Sequence, residues 1–189
     1  MPLAVKIRFW NAKGRQYFSL GVLIALFLLP SKSFALSEEE LQLALLLKVS
    51  QFTTWTERND QEFKFCLYRG KGYEDLVSSS NSMPTVGKLP VHFVFLKQNT
   101  AAHLIHQCHL LFVTERSATE TKQILRKSVF SPTLTVSTLD GFADMGGMIE
   151  LVRQGKRYTF RINLQPVKES ELNLSASLLE ISSVIRGGN

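Results

Sequence analysis

The chain is poor in cysteine, with two in 189 residues. That is too few for a small fold built on disulfides, and the two are not grouped as in a structural zinc site. Long apolar runs are also scarce. Only one approaches spanning length, which excludes a multi-pass membrane protein. Hydrophobic content of 44% against 20% charged excludes a disordered or collagen-like chain. Acid is wholly missing from the first 35 residues, which hold Lys6, Arg8, Lys13, Arg15 and Lys32. The formal charge of +6, from 22 basic and 16 acidic residues, is therefore uneven. Setting those five aside leaves 17 basic against 16 acidic residues, a net charge of +1. A near-neutral domain gives no electrostatic footing for nucleic acid.

The acid-free segment has the three parts of a secretory signal. A positive region ends at Arg15, an apolar stretch runs from Tyr17 to Leu29, and small residues Ser33 and Ala35 prepare cleavage after Ala35. Its thirteen residues make a helix of roughly 20 Å, short for a hydrocarbon core of about 30 Å. An uncleaved anchor is the competing reading. Residues 1–35 are thus expected to be a signal peptide and 36–189 a single periplasmic domain. In an oxidising compartment Cys66 and Cys108 read as a bridge, with two separate buried thiols as the alternative.

Ser37 followed by Glu38, Glu39 and Glu40 is a capping-box start. The run Leu41–Trp55 is apolar nearly all round, so a heavily buried helix is expected. Strands are predicted at Phe63–Tyr68, Val91–Leu96, Leu110–Val113 and Pro132–Ser137. Short helices are predicted at Tyr73–Ser79, Ala101–His106 and Ala118–Lys127. Met148–Arg153 and Tyr158–Asn163, joined by Gln154, Gly155 and Lys156, read as an antiparallel hairpin. A final amphipathic helix is predicted over Ser175–Ile185, stopping at Gly187 and Gly188. The alternation implies an α/β single-domain three-layer sandwich: a mixed sheet of five to six strands, helices on both faces, and a C-terminal hairpin plus helix.

Several sites invite chemistry. Gly146 and Gly147 precede a strand rather than a helix, which does not suit phosphate binding; they read as a tight turn or close backbone approach. Asp140 and Asp144 lack the calcium-loop spacing. His103 and His106 share a helical face, yet the chain should turn before His109, and no metal site is assigned. No hydrolase elbow or zinc-protease motif is present. Arg153, Lys156, Arg157 and Arg161 form a basic cluster on the hairpin, a solvated face or a surface for an acidic partner.

The segment Pro132–Ile185 carries a resemblance. It holds Thr133–Thr138, Gly141 with Phe142, Gly146–Ile149, Arg157–Leu164 and Leu172–Leu179 in order. Lys48–Phe52, Trp55, the strand with Cys66, and Cys108–Phe112 extend it. This series resembles the YfiR-like family over about Leu41 to Ile185. The resemblance implies a non-enzymatic periplasmic repressor of an inner-membrane diguanylate cyclase, without cofactor, lowering cyclic-di-GMP and restraining biofilm formation. It implies a homodimer, sequestration by an outer-membrane lipoprotein, and a bridge between Cys66 and Cys108. A second cysteine pair of the founding member is missing, with Asp144, Met145 and Met148 in its neighbourhood, so redox control through that bridge is not expected. The loop Asp140–Gly147 is expected to be exposed, with Phe142, Met145, Gly146, Gly147, Arg153, Arg157 and Arg161 available to a partner. The alternative function is a small-molecule sensor or adaptor for a membrane histidine kinase.

Overall fold

A computed structural model of the chain describes residues 36–55, 60–79 and 83–185. The predicted signal segment, its cleavage after Ala35, and the stop at Gly187 and Gly188 lie outside the described residues. Among the described residues no helix is long and apolar enough to cross a membrane.

The first helix, α1 (Glu38–Gln51), starts where the capping box predicts. The Ser37 hydroxyl accepts the Glu40 N–H at 3.1 Å, and the Glu40 carboxylate accepts the Ser37 N–H at 2.7 Å. It ends before Trp55, at the short strand β1 (Thr53–Thr54). The expectation of heavy burial is corrected. Leu46 and Val49 are buried, but Leu41, Leu43, Leu45 and Leu47 are only half-buried and Ala44 is exposed. A helix lying on a sheet covers one stripe, and apolar residues off that stripe stay uncovered.

Five strands follow a doubly wound course: β2 (Phe63–Tyr68), β4 (Leu89–Leu96), β5 (Leu110–Val113), β6 (Leu134–Ser137) and β7 (Ile149–Gln154). Helices α2 (Glu74–Ser79), α3 (Ala102–Ile105) and α4 (Ala118–Ser128) lie between them, and β3 (Thr85–Val86) borders β4. After the turn at Gly155 come β8 (Arg157–Asn163), α5 (Leu164–Glu169), β9 (Asn173–Leu174), α6 (Ala176–Glu180) and β10 (Ser182–Ile185). The main sheet has eight strands in the order β10-β8-β7-β6-β5-β2-β4-β3, more than the five to six expected. Strands β4, β2, β5, β6 and β7 are parallel, and β8 returns antiparallel beside β7. A separate two-stranded pairing joins β1 to β9.

The predicted C-terminal helix is half right. It begins at the Ser175 cap but stops after Glu180, and Ser182–Ile185 pairs in parallel with Phe160–Asn163. The open edge of β8 offers a ladder of unpaired N–H and C=O groups. A short Ser-Ser-Val-Ile segment fits a strand better than a helix end.

The alternation of side chains divides the core in two. Phe63, Phe65, Leu110, Phe112, Leu134, Val136, Ile149 and Phe160 face α1, α5 and α6. Cys66, Tyr68, Leu111 and Val113 face α3 and α4, meeting Ile105, Ile124 and Leu125. All four residues of β5 and of β6 are buried, as expected of parallel strands covered on both sides. Cys66 and Cys108 form a disulfide across a Cα–Cα distance of 5.9 Å, and both are buried. The bridge joins β2 to the residue that leads into its neighbour β5.

Candidate functional site

The chain passes from β2 to β4 on one side, then returns to lay β5 on the other side of β2. The carboxyl ends of β2 and β5 therefore border a topological switch point, where open α/β sheets bind ligands. A crevice of about 750 Å³ lies there. Its second wall follows from register. Only Ile149 and Glu150 of β7 pair with β6, opposite Val136 and Ser137. The rest of the β7–β8 hairpin projects past the carboxyl edge and brings Leu151, Val152, Arg153 and Tyr158 to the crevice.

A polar network forms the floor. Gln42 donates to the Tyr158 hydroxyl at 2.8 Å and to Glu38 at 3.2 Å, and it accepts the Tyr73 hydroxyl. Tyr158 donates to Glu38 at 2.8 Å, and Arg153 pairs with the same carboxylate. The Tyr158 hydrogen bond, helped by Arg153, holds Glu38 below the usual carboxylate range. Burial pushes the Tyr73 phenol upward, so both tyrosines stay neutral donors.

Where a phosphate would sit in a nucleotide-binding sheet, this chain places its own Glu115. The carboxylate accepts the N–H groups of Arg116 and Ser117, each at 2.8 Å, just ahead of α4. Arg69 closes on it at 2.6 Å from a left-handed backbone, φ 56°. A non-glycine residue there is uncommon and marks a constrained position. The Ser117 N–H is the main cause of a lowered Glu115 pKa, with Arg116 N–H and Arg69 adding to it. A depressed folded-state pKa stabilises the fold above the unfolded value and loses that contribution as pH falls through the folded one. Glu115→Gln is expected to be less stable than wild type near pH 7 and nearly equal to it near pH 3, read as melting temperature against pH.

The expected partner residues are dispersed by the structure. Phe142, anticipated on an exposed loop, is fully buried against the α4 side of the sheet. Gly147 packs on its ring: a Cβ there would lie 2.1 Å from Phe142 Cε1, while Gly146 adopts φ +100°. Gly147→Ala should cost about 1–3 kcal/mol through overpacking, measurable by denaturant titration. The basic cluster is split by the pleat. Arg153 lies opposite Tyr158, whereas Gln154 lies opposite Arg157 and Glu150 opposite Arg161. Arg153 therefore faces α1, and Arg157 and Arg161 face the other way. Arg161 is committed internally: it holds both Asp144 oxygens at 3.0 and 3.1 Å and Glu150 at 3.1 Å. Met145 is half-buried and Gly146 exposed, at the tip of the loop.

Glu150 escaped the sequence reading. Its buried carboxylate also accepts the Gly141 N–H at 3.2 Å and the Ala143 N–H at 3.1 Å, pinning the loop to β7. A carboxylate inside an apolar strand was the available signal. The histidines have other work: His106 bonds the Lys127 carbonyl at 2.8 Å, and His109 meets Asp60 at 3.1 Å and the Lys64 N–H at 3.0 Å. Among the described residues no His, Cys, Asp and Glu cluster suits a metal ion.

Fold and crevice together define a doubly wound α/β domain whose anion cradle is filled by its own side chain. The chain belongs to the YfiR/HmsC-like family, whose model matches residues 39–183. That family is regulatory and non-catalytic, and its members are periplasmic regulators of cyclic-di-GMP signalling. No curated protein matches the chain.

Proposed function

We propose that this protein is a periplasmic repressor that binds an inner-membrane diguanylate cyclase stoichiometrically and holds it in its inactive conformer. The family match across nearly all of the folded domain carries this reading. Export follows from the N-terminal segment, cleaved after Ala35. The repressor works as a homodimer and is sequestered by an outer-membrane lipoprotein. Two surface features support work by protein contact. Leu43 and Leu47 of α1 join Leu76, Val77 and Phe93 in a shallow apolar groove of about 260 Å³. On the opposite face, Met145 and Gly146 at the loop tip, with Arg157 farther along β8, offer a contact surface to the cyclase's periplasmic portion. Phe142, Gly147 and Arg161 act indirectly, by giving the loop its shape.

A repressor moves its target only through unequal affinity for the two states. Reversing a 99:1 preference takes roughly a ten-thousand-fold difference. Deleting the gene is expected to raise cyclic-di-GMP and biofilm formation; an unchanged level in a strain with intact cyclases overturns the reading. The crevice favours a second reading, a ligand-responsive adaptor for a membrane histidine kinase, for which a kinase rather than a cyclase gene would flank this one.

A further inference from the structure

We propose that the crevice at the carboxyl end of the sheet binds a zwitterionic peptide of two or three residues. Its carboxylate meets Lys71 and Arg116, and its ammonium meets Glu39 and Asp140. The inference is independent of the repressor reading.

The charges of the crevice fall into two groups. Arg69 is neutralised by Glu115, and Arg153 by Glu38. The four that remain, Lys71, Arg116, Glu39 and Asp140, line the same crevice, are exposed, and make no side-chain ion pair or hydrogen bond among the described residues. They are also sorted in space. Lys71 and Arg116 follow β2 and β5, whereas Asp140 follows β6 and Glu39 stands on the first turn of α1. A simple anion would meet two uncompensated acids here, and a simple cation two uncompensated bases. A ligand with both charges satisfies all four. A phosphate is disfavoured further, because Glu115 already takes the N–H groups ahead of α4.

Spacing selects the length. Strand β5 lies between β2 and β6, so Lys71 and Asp140 leave strands roughly 10 Å apart, twice the usual strand spacing. The charged groups of a free amino acid are too close together to bridge that gap. An extended chain gains about 3.3–3.6 Å per residue, which puts the termini of a two- or three-residue peptide at the right separation. The crevice volume of about 750 Å³ lies in the range of small-ligand sites, roughly 300–1,000 Å³. Leu139, Leu151 and Val152 supply apolar wall for side chains.

Titration calorimetry of the purified, oxidised protein with trialanine tests this. Saturable binding is expected, weakened at least tenfold by N-acetylation of the peptide and at least tenfold by C-terminal amidation. In Lys71→Gln/Arg116→Gln, trialanine and its amide should bind equally weakly. In Glu39→Gln/Asp140→Asn, trialanine and its acetylated form should do the same. All four positions are exposed, so both variants should keep wild-type circular dichroism and melting temperature. Absence of saturable binding at millimolar trialanine overturns the proposal. So does equal affinity for the capped peptides, tighter binding of inorganic phosphate or succinate, or unchanged affinity in both variants. Cyclic-di-GMP levels do not enter the measurement, so failure here and failure of the gene-deletion test are separate results.

Discussion

Arg161→Ala is expected to destabilise the protein by about 3 kcal/mol, in the range found when one partner of a buried ion pair is removed. The remaining partner, Glu150, has a side chain only 4% exposed. It would keep the N–H groups of Gly141 and Ala143 but lose its only cationic neighbour among the described residues. Asp144 would be released at the same time, freeing the outer side of the loop. Two readouts follow. The denaturant midpoint should fall, and the Gly141 and Ala143 amides should exchange with solvent faster than those of β5. Adding Glu150→Gln to Arg161→Ala should restore part of the loss, because a neutral amide in that pocket leaves no stranded charge. The coupling between the two changes should exceed 1 kcal/mol, as for residues sharing one network. A single Arg161→Ala change within 0.5 kcal/mol of wild type, with unchanged exchange, would show that the loop does not depend on this arginine.

Removing the disulfide should cost about 4 kcal/mol. Cys66 and Cys108 are 42 residues apart in sequence, and closing a loop of that length restricts the unfolded chain by roughly that amount in the chain-entropy account. For a domain of this size the loss corresponds to a melting temperature lower by about 8–16 °C. The Cys66→Ala/Cys108→Ala variant reports it directly. Both sulfurs lie under α3 and α4, so a reductant should act slowly on the folded protein and quickly in denaturant. Thiol titration of the unfolded, unreduced protein should find no free thiol; two would contradict the bridge. Comparing the reduced wild type with the double-alanine variant separates this effect from packing, since two alanines in a buried site also remove side-chain volume.

Much of the fold was legible because its signals are local. The capping box at Ser37 uses residues three apart, and α1 begins there. Strand β5 reads as an unbroken apolar run because both of its faces are covered. The hairpin was visible through Gly155 between two alternating segments, its boundaries shifted by one residue. The bridge between Cys66 and Cys108 was expected from export and from resemblance. The helix predicted over Ser175–Ile185 does start at its Ser175 cap, but only the open edge of β8 draws Ser182–Ile185 out of it into a strand. Phe142 was misplaced because glycine-rich loops usually lie at the surface; Gly147 instead leaves room for its ring underneath.

The amino-acid sequence by itself determined the types of the elements up to Glu180 that it signalled, their α and β order, the near-neutral charge of the domain and its family. These depend on residue type and on spacings within a few positions. Tertiary structure alone decided which charges meet. Arg153 and Arg161 lie eight positions apart and face opposite ways because one is on β7, the other on β8, and the hairpin register sets their sides. Lys71, Arg116, Asp140 and Glu39 share a crevice because β2 sits at a switch point and β7 is staggered upward against β6. Strand order and register are properties of the assembled sheet, and no local spacing encodes them.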